Sequence, residues 1–117
     1  MPFAGVTKIV GKVTKNALSK TQVKVALQTA QVPYKGSTVA GHALSKHAGR
    51  NPKVWGGITG SMKSWNDQAM KHFNEIMDGS GQFKQITDKK ITFIEKRLSD
   101  GRGIRLNMDS SFKGFID

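Results

Sequence analysis

The sequence predicts an α+β domain in which an antiparallel sheet of three or four strands packs under helices. Apolar residues recur at helical spacing in several segments of the first two-thirds of the chain, most clearly between Trp65 and Met77. Later in the chain, short apolar runs alternate with polar residues and are separated by turn-forming residues, as in antiparallel strands. The length of 117 residues suits one small domain with a single core.

The N-terminal part is predicted to be helical. Residues 1–30 are expected to form one or two amphipathic helices, because β-branched, small and lysine residues are mixed at partly helical spacing. Proline and glycine predict a linker at Val32–Gly36. The next helix is expected over Val39–Ala48, with Gly49 as its left-handed terminator and Pro52 preventing continuation. This helix buries a narrow apolar stripe and exposes its bases.

The middle of the chain is predicted to be a loop followed by the longest helix. Asparagine, proline and glycine residues indicate a loop over residues 50–63. The helix is expected to begin at Ser64, where Asp67 completes a capping-box pattern, and to end at Gly79. His72 lies at the edge of its apolar face. The face itself predicts core positions for Trp65, Ala69, Met70, Phe73, Ile76 and Met77.

The last third of the chain is predicted to form the sheet. The expected strands are Phe83–Ile86, Lys90–Leu98, Gly103–Met108 and Phe112–Ile116. Between the second and third of these strands, Ser99–Gly101 is a turn signal. Short turns between successive strands predict antiparallel pairing of neighbours along the chain.

Charge is the most informative feature of the composition. Nineteen Lys and Arg residues stand against eight Asp and Glu residues, which gives a net charge of +11. No carboxylate precedes Asp67, so residues 1–66 carry +10 and the rest of the chain carries +1. Such a field attracts polyanions and favours a nucleic acid or an acidic protein as the partner.

Several protein classes are excluded by what the sequence lacks. Without cysteine there is no disulfide scaffold, thiolate zinc site or cysteine nucleophile. Lysines interrupt the early apolar runs, so no secretory leader is expected, and no stretch approaches the roughly 20 apolar residues that span a bilayer. We therefore expect no stable membrane insertion of this segment. The glycines form no phosphate-loop pattern, which excludes a kinase or NTPase, and no cofactor is expected.

The segment GHALSKHAGR places His42, Lys46, His47 and Arg50 within nine residues. Metal-free RNA cleavage requires a base for the 2′-hydroxyl proton, an acid for the 5′-oxygen and cations facing the charged phosphorane. Histidine suits the proton transfers, and lysine and arginine suit the phosphate. The alternative is a solvated cationic face whose histidines bond to backbone. A metal site is disfavoured, because the histidines are five positions apart and no acidic residue lies nearby.

A second basic strip is predicted on the terminal hairpin. If the apolar residues of the third strand face the core, Arg105 faces outward, and Lys113 and Phe115 lie beside it across the hairpin. Arg102 precedes the same strand. Cations beside an exposed ring are what a single-stranded RNA site requires. The alternative for Phe115 is a place in a second core layer.

Other candidates are weaker. Most carboxylates suit helix ends or turns, which leaves Glu95 as the sole acidic candidate on a predicted strand. Trp55 lies in the glycine-rich loop, where the sequence does not decide between packing and base stacking.

Three stretches, GHALSKHAGR, WNDQAMKHFNEIM and RLSDGRGIRLNMDSSFKGFID, resemble the C-terminal toxin domains of contact-dependent growth inhibition and related polymorphic toxin systems. Within these systems, the chain is similar to the group that shares the fold of barnase, EndoU, a colicin and RelE (the BECR fold). The resemblance covers about Val32 to Asp117. It implies a curved antiparallel sheet of three to five strands that follows the helices, with the active site on the concave face of the sheet.

The resemblance also implies a function. It implies a metal-independent ribonuclease, often acting on tRNA, that is exported as part of a larger surface or secreted effector. The effector delivers it to the cytoplasm of rival bacteria, and a cognate acidic immunity protein blocks it. The expected boundaries are residues 1–31 for an N-terminal helical or linker segment and residues 32–117 for the nuclease toxin domain.

The resulting hypothesis assigns a role to each candidate residue and expects His42 and Arg105 to meet in one pocket. The predicted catalytic residues are His42, His47 and Arg105, and the predicted phosphate- and RNA-binding residues are Lys46, Arg50, Arg102, Lys113 and Phe115. Two alternatives remain open at this point. One is a non-catalytic basic module that binds RNA or DNA, and the other is a metal-dependent DNase.

Overall fold

The computed structural model describes residues 18–117, so the helical pattern predicted within residues 1–17 lies outside the described residues. The elements, in chain order, are α1 (Lys20–Ala30), β1 (Pro33–Tyr34), β2 (Ser37–Thr38), α2 (Val39–Arg50), α3 (Pro52–Trp55), a 3₁₀ turn (Met62–Ser64), α4 (Trp65–Asp78), β3 (Lys84–Asp88), β4 (Ile91–Arg97), β5 (Gly103–Asn107) and β6 (Phe112–Ile116). None of the described helices has both the length and the apolarity needed to cross a bilayer.

Strands β3 to β6 form one four-stranded sheet in which each strand pairs antiparallel with the next along the chain. Their bounds agree with the predicted strands to within one or two residues at each end. Helices α2 and α4 pack against each other, with α2 also against β6 and α4 against β4 and β5. The predicted α+β class is therefore confirmed.

The core lies between this helical layer and one face of the sheet. From the helices it takes Ala40, Leu44, Ala48, Trp55, Ala69, Met70, Phe73 and Ile76, and from the sheet Ile94, Ile104, Leu106, Phe112 and Phe115. Trp55 is thus a packing residue, which the sequence left undecided. Trp65, predicted to lie in the core, is only half-buried and contacts the ring of His42.

Helix α1 belongs to the same packed body. A capping box starts it: the Gln22 N–H donates to the Ser19 hydroxyl at 3.1 Å, and the Ser19 N–H donates to the Gln22 amide oxygen at 2.6 Å. Ala26 and Ala30 are buried in the core. The N–H of Phe112 donates to the Thr29 hydroxyl at 2.8 Å. Helix α1 is therefore tied to β6 although it precedes the predicted boundary at residue 31.

The predicted linker at Val32–Gly36 is wrong, because this segment begins a small hairpin. Strand β1 pairs antiparallel with β2. Lys35 and Gly36 form the connecting turn with φ angles of 44° and 84°. A tight turn of this kind needs left-handed backbone at both central positions, which glycine adopts without steric cost.

Two predictions around α2 and the capping box predicted at Ser64 are also wrong, whereas the predicted start of α4 at Ser64 is confirmed, since Ser64 is its N-cap. Gly49 does not end α2, which continues to Arg50 and has Asn51 as its C-cap. The predicted loop over residues 50–63 contains α3 and the start of the 3₁₀ turn. Ser64 makes no side-chain cap, because its hydroxyl donates instead to the backbone carbonyls of Thr59 and Ser61. The predicted end of α4 at Gly79 is confirmed.

Candidate active site

A groove of about 390 Å³ lies between α2, the β1–β2 hairpin and β6. Helix α2 presents its basic residues to this groove, because the apolar residues on its other side are buried against α4 and β6. The side chains that line the groove and could act on a substrate are Tyr34, His42, Lys46, His47 and Lys113. Both histidines and both lysines predicted for the site are therefore brought together.

His47 is held by a carboxylate from the far end of the sequence. Its Nδ1 lies 3.1 Å from Oδ2 of Asp117, and the indole Nε1 of Trp55 donates to the same oxygen at 2.7 Å. The bond from Trp55 and then the bond from His47 lower the pKa of Asp117, so the carboxylate is ionised at neutral pH. It accepts the Nδ1 proton of His47, which leaves Nε2 as the basic nitrogen of the neutral ring.

His42 is oriented by different contacts. Its Nε2 lies 3.0 Å from the backbone oxygen of Lys35, so Nε2 carries the proton and Nδ1 is the free nitrogen. The rings of Tyr34 and Trp65 meet it edge-on, with centroid distances of 5.1 Å and 5.5 Å. The imidazole is therefore fixed against both the hairpin and α4.

The positive charge of the groove comes from two lysines. Lys46 on α2 and Lys113 on β6 are both exposed and both line the groove. The Nζ of Lys113 also lies 5.3 Å from the ring centre of Phe93 on the outer face of the sheet. Arg50 is exposed at the end of α2, and its charge contributes to lowering the pKa of Asp117. An anion in the groove would therefore face Lys46 on α2, and the ammonium of Lys113 lies at the rim, toward the outer face of the sheet.

Arg105 lies outside this groove, on the sheet face that points away from the helices. Its Nη2 is 3.4 Å from Oε1 of Glu95, and its guanidinium lies 4.8 Å from the ring centre of Phe93. The second oxygen of Glu95 is 3.2 Å from Nε of Arg97. Because Arg105 does not line the groove, the expected pocket that joins it to His42 is not formed.

Arg102 is held in a separate ion-pair network. Its guanidinium donates to Asp100 at 2.8 Å, to Glu75 at 2.6 Å and to Nδ1 of His72 at 2.9 Å. The hydrogen bonds with Asp100 are the main cause of its raised pKa. The network ties α4 to the β4–β5 turn. This geometry does not support the predicted role of Arg102 in binding RNA, because two carboxylates already neutralise it.

The prediction that Phe115 exposes its ring for base stacking is wrong. Phe115 pairs with Ile104, is 3% exposed and packs against the rings of Trp55 and Phe112. A register shift between Arg105 and Leu106 leaves one extra residue on β6 at position 113. This bulge shifts the alternation by one, so that a residue expected to face outward faces the core.

Asp117 is a functional residue that no local signal in the sequence marks. It is separated from His47 by 70 positions, so only the packing of β6 against α2 brings the two together. The carboxylate is paired with the histidine. Within residues 18–117, no three His, Asp or Glu side chains are grouped so that they could hold a metal ion.

Helices pack on one face of a four-stranded antiparallel sheet, and the groove beside them combines lysines with a histidine that is paired with a carboxylate. This combination suits an enzyme that cleaves a phosphodiester, such as a ribonuclease. The chain belongs to the family of CdiA C-terminal tRNase toxin domains, whose model matches residues 27–117. The predicted resemblance to the toxins of contact-dependent growth inhibition is confirmed, and so is the predicted ribonuclease class. The two alternatives, a non-catalytic binding module and a DNase, do not agree with this family.

A solved structure supports the same assignment. The chain is similar to the toxic C-terminal tip of CdiA from Pseudomonas aeruginosa, which was crystallised in complex with its immune protein. The two chains are 66% identical, with a TM-score of 0.76, and the match covers 77% of this chain and 99% of the other. A comparison with curated proteins gives no match.

Proposed function

We propose that this domain cleaves tRNA without a metal ion, by attack of a ribose 2′-hydroxyl on the adjacent phosphorus. The products are a 2′,3′-cyclic phosphate and a 5′-hydroxyl. The observation that carries the proposal is the His47–Asp117 pair, 3.1 Å apart, at a groove that also contains Lys46 and Lys113. The groove therefore combines an oriented base with the cations that a phosphodiester requires.

His47 is assigned as the general base. Its Nε2 takes the proton of the 2′-hydroxyl while the 2′-oxygen forms a bond to phosphorus. The ring becomes an imidazolium, and the ionised carboxylate of Asp117 stabilises the new charge through the hydrogen bond from Nδ1. Asp117 acts through His47 and is therefore a positioning residue.

His42 is assigned as the general acid. In its protonated form, its Nδ1 gives a proton to the 5′-oxygen as the bond from phosphorus to that oxygen breaks. Lys46 and Lys113, which both line the groove, are assigned to the phosphorane, whose negative charge grows in the transition state. Arg50 extends the positive surface at the end of α2 and is assigned to neighbouring phosphates.

The biological setting follows from the family. We infer that the domain is the tip of a larger exported effector, acts in the cytoplasm of target bacteria and is neutralised by a cognate acidic immunity protein. The net charge of +11 supports an acidic partner, because complementary fields accelerate association. The similar CdiA tip with its bound immune protein supports the same inference.

Glu95 is the second candidate for the base. It is 6% exposed and lies between Arg97 and Arg105, whose guanidinium nitrogens are 3.2 Å and 3.4 Å from its two carboxylate oxygens. A buried carboxylate beside two guanidinium groups could accept a proton next to a bound phosphate. In this alternative Arg105 has the catalytic role predicted from the sequence, on the outer face of the sheet.

The test uses the purified chain and bacterial tRNA in EDTA, with the cleaved ends identified chemically. We expect the wild type to leave cyclic phosphates, and His47→Ala to lower the rate by about 10²- to 10⁴-fold, the usual contribution of a general base. Glu95→Gln, which preserves side-chain shape, should retain most of the activity. If Glu95→Gln were the less active of the two variants, the general base would be Glu95 on the outer face of the sheet.

Two controls separate the groove from simple charge and folding effects. Lys113→Ala and Lys24→Ala remove the same charge, but Lys24 is exposed on α1 and does not line the groove. Only Lys113→Ala should slow cleavage strongly. Circular dichroism would show whether each variant is folded. Activity that is lost in EDTA, or products that end in a 3′-hydroxyl, would contradict the metal-free mechanism.

A further inference from the structure

Tyr34 exposes an aromatic ring at the edge of the groove. Among the aromatic side chains of residues 18–117 it is the most exposed, at 45%, whereas the phenylalanines and Trp55 are buried. Leaving a large ring in water forgoes the stabilisation that burial would supply, about 25 cal/mol per Å² of apolar surface. A single exposed ring needs no explanation by itself, but this ring lines the groove that contains both histidines.

The hairpin holds this ring in a fixed position. Strand β1 pairs with β2, and the N–H of Val39 donates to the oxygen of Val32 at 3.0 Å across the base of the hairpin. His42 ties the tip to α2 through the oxygen of Lys35 at 3.0 Å. Its imidazole also meets the Tyr34 ring edge-on at 5.1 Å. The ring is therefore organised before any ligand binds, which lowers the entropic cost of stacking.

The charges around Tyr34 suit a nucleotide. The Nζ of Lys35 lies 5.2 Å from the ring centre, and Lys46 lines the same groove. A base on the ring would have cations available for the phosphates on its two sides. Aromatic rings flanked by basic groups are the usual platforms for single-stranded nucleic acid, because every base has a face that can stack.

The contact between Tyr34 and His42 indicates which nucleotide of the substrate would stack on the Tyr34 ring. His42 is the proposed acid that serves the 5′-oxygen, so a base stacked on Tyr34 belongs to a nucleotide next to the scissile phosphate. A base within a helical stem is already stacked on its neighbours and cannot lie on a protein ring without being extruded. The geometry therefore favours a substrate that is unpaired at the cleavage site.

We propose that Tyr34 stacks on an unpaired base beside the scissile phosphate, and that the enzyme consequently selects single-stranded RNA over paired RNA. This inference rests on the proposed function for the location of the scissile phosphate. The role that the sequence suggested for Phe115 is thereby assigned to a ring on a different element. Tyr34 acts on substrate selection and has no part in proton transfer.

The test begins by mapping the cleavage site in bacterial tRNA with the wild-type chain. A short single-stranded RNA that reproduces this site is then made with 2′-O-methyl at the cleaved nucleotide, so that it binds without being cut. Its affinity is measured for the wild type, Tyr34→Ala and Tyr34→Phe. We expect Tyr34→Ala to weaken binding about 10- to 100-fold, the range for loss of one stacked base, and Tyr34→Phe to bind within about twofold of the wild type.

Abasic RNAs show whether the loss comes from stacking. One RNA lacks the base on the 5′ side of the cleavage site and another lacks the base on the 3′ side. One of these abasic RNAs should bind the wild type as weakly as the intact RNA binds Tyr34→Ala. The same abasic RNA should bind Tyr34→Ala with no further loss of affinity. Val32→Ala is the matched control, because Val32 is 48% exposed beside the same hairpin but does not line the groove.

The outcomes separate this inference from the proposed chemistry. The inference would be overturned if Tyr34→Ala bound the RNA as tightly as the wild type does. It would also be overturned if the losses in affinity from Tyr34→Ala and from each abasic RNA multiplied when combined, or if a duplex that contains the same site bound more tightly than the single strand. Because the RNA cannot be cleaved, these results do not depend on which residue is the base. Failure of the His47 test would refute the mechanism and leave the affinity results intact.

Discussion

His47 on α2 and Asp117 just after β6 are joined by a hydrogen bond of 3.1 Å, although 70 positions separate them in the chain. Trp55 donates to the same carboxylate oxygen at 2.7 Å, and Nη1 of Arg97 donates to the backbone oxygen of Asp117 at 3.3 Å. The last residue of the sequence is thus held from three directions. The carboxylate sets both the tautomer and the position of the proposed base, so it should control the rate without touching RNA.

Asp117→Asn tests this relationship. An amide can turn its NH₂ group toward Nδ1 of His47, which favours the tautomer that has its proton on Nε2 and cannot accept another there. We expect kcat for tRNA cleavage to fall by roughly 10²-fold, the lower figure for loss of general-base catalysis, with little change in KM. Steady-state kinetics at neutral pH measure both values.

Asp109→Asn is the matched control for the loss of a carboxylate. Asp109 also has a lowered pKa, but the cause is its hydrogen bonds with Ser111 in the β5–β6 turn, far in sequence from His47. This variant should cleave tRNA at nearly the wild-type rate. If Asp117→Asn is equally active, or if its loss is entirely in KM, Asp117 does not position the base.

Local patterns were sufficient to predict much of this molecule. The 3.6-residue period places His42 and Lys46 opposite the apolar stripe of α2, with His47 at the border of that side, and the alternating pattern locates the four strands. These features depend on residues a few positions apart, whose relative directions are fixed by the element that contains them.

The sequence could not predict features that depend on tertiary pairing. Phe115 faces the core because of a one-residue bulge at position 113, and a bulge has no reliable pattern in a single sequence. Arg105 was expected to meet His42, but its strand directs it to the outer face beside Glu95. Proline and glycine predict a linker around Tyr34, and the hairpin found there has strands of two residues, which are too short to show alternation.

Gly49→Ala should stabilise the domain. Gly49 lies within α2, is exposed, and a β-carbon there would meet no atom within 4 Å. Glycine in a helix costs about 0.5–1 kcal/mol relative to alanine, because more backbone freedom is lost on folding. We expect the free energy of unfolding in urea to rise by that amount.

Gly41→Ala separates helix propensity from packing. This glycine is in the same helix but is buried, and a β-carbon there would collide with the Ser37 hydroxyl and lie 3.2 Å from Cβ of Trp65. The same substitution should therefore destabilise the domain, by about 1–3 kcal/mol. Equal effects at both positions would show that α2 and α4 do not approach as closely as described.

The double variant Lys89→Asn, Lys90→Gly, which places an Asn-Gly pair in the β3–β4 turn, should also stabilise the domain. Asp88 pairs with Ile91, so Lys89 and Lys90 form a two-residue turn, with φ angles of 51° and 70°. Side chains other than Asn, Asp and Gly are disfavoured in this backbone region, and Asn-Gly is the preferred pair for such turns. We expect a gain of about 1 kcal/mol in the free energy of unfolding.

The double variant Lys89→Ala, Lys90→Ala controls for charge. It removes the same two positive charges but leaves residues with a β-carbon at both strained positions. Its stability should remain close to that of the wild type. If the alanine variant gains as much as the Asn-Gly variant, the stabilisation comes from reduced charge repulsion rather than from the backbone.

Stability should fall with decreasing pH because of His72. Burial, and then the positive charge of Arg102, lower the pKa of His72 from 6.5, while Glu75 and Asp100 oppose part of this shift and Lys71 adds to it. The neutral ring accepts a hydrogen bond from Arg102 at 2.9 Å, and protonation would remove that acceptor. Unfolding lets the ring take up a proton, so the unfolded state binds more protons once the pH falls below the ordinary pKa.

The contribution of His72 to stability is therefore complete above about pH 6.5 and is lost as the pH falls toward its lowered pKa. The slope of the unfolding free energy against pH cannot exceed about 1.4 kcal/mol per pH unit for one proton, and it is smaller here because the ring is only half-buried.

A second loss of stability should begin near pH 4. The pKa values of Glu75, Asp100 and Asp117 are lowered in the folded protein, so these carboxylates stabilise the fold only while they are ionised. Urea unfolding of the wild type and His72→Gln is followed from about pH 7 to about pH 3. The variant should show the flatter profile between pH 7 and pH 5, and both proteins should show the loss that begins near pH 4. An unchanged slope in His72→Gln would show that another group takes up the proton.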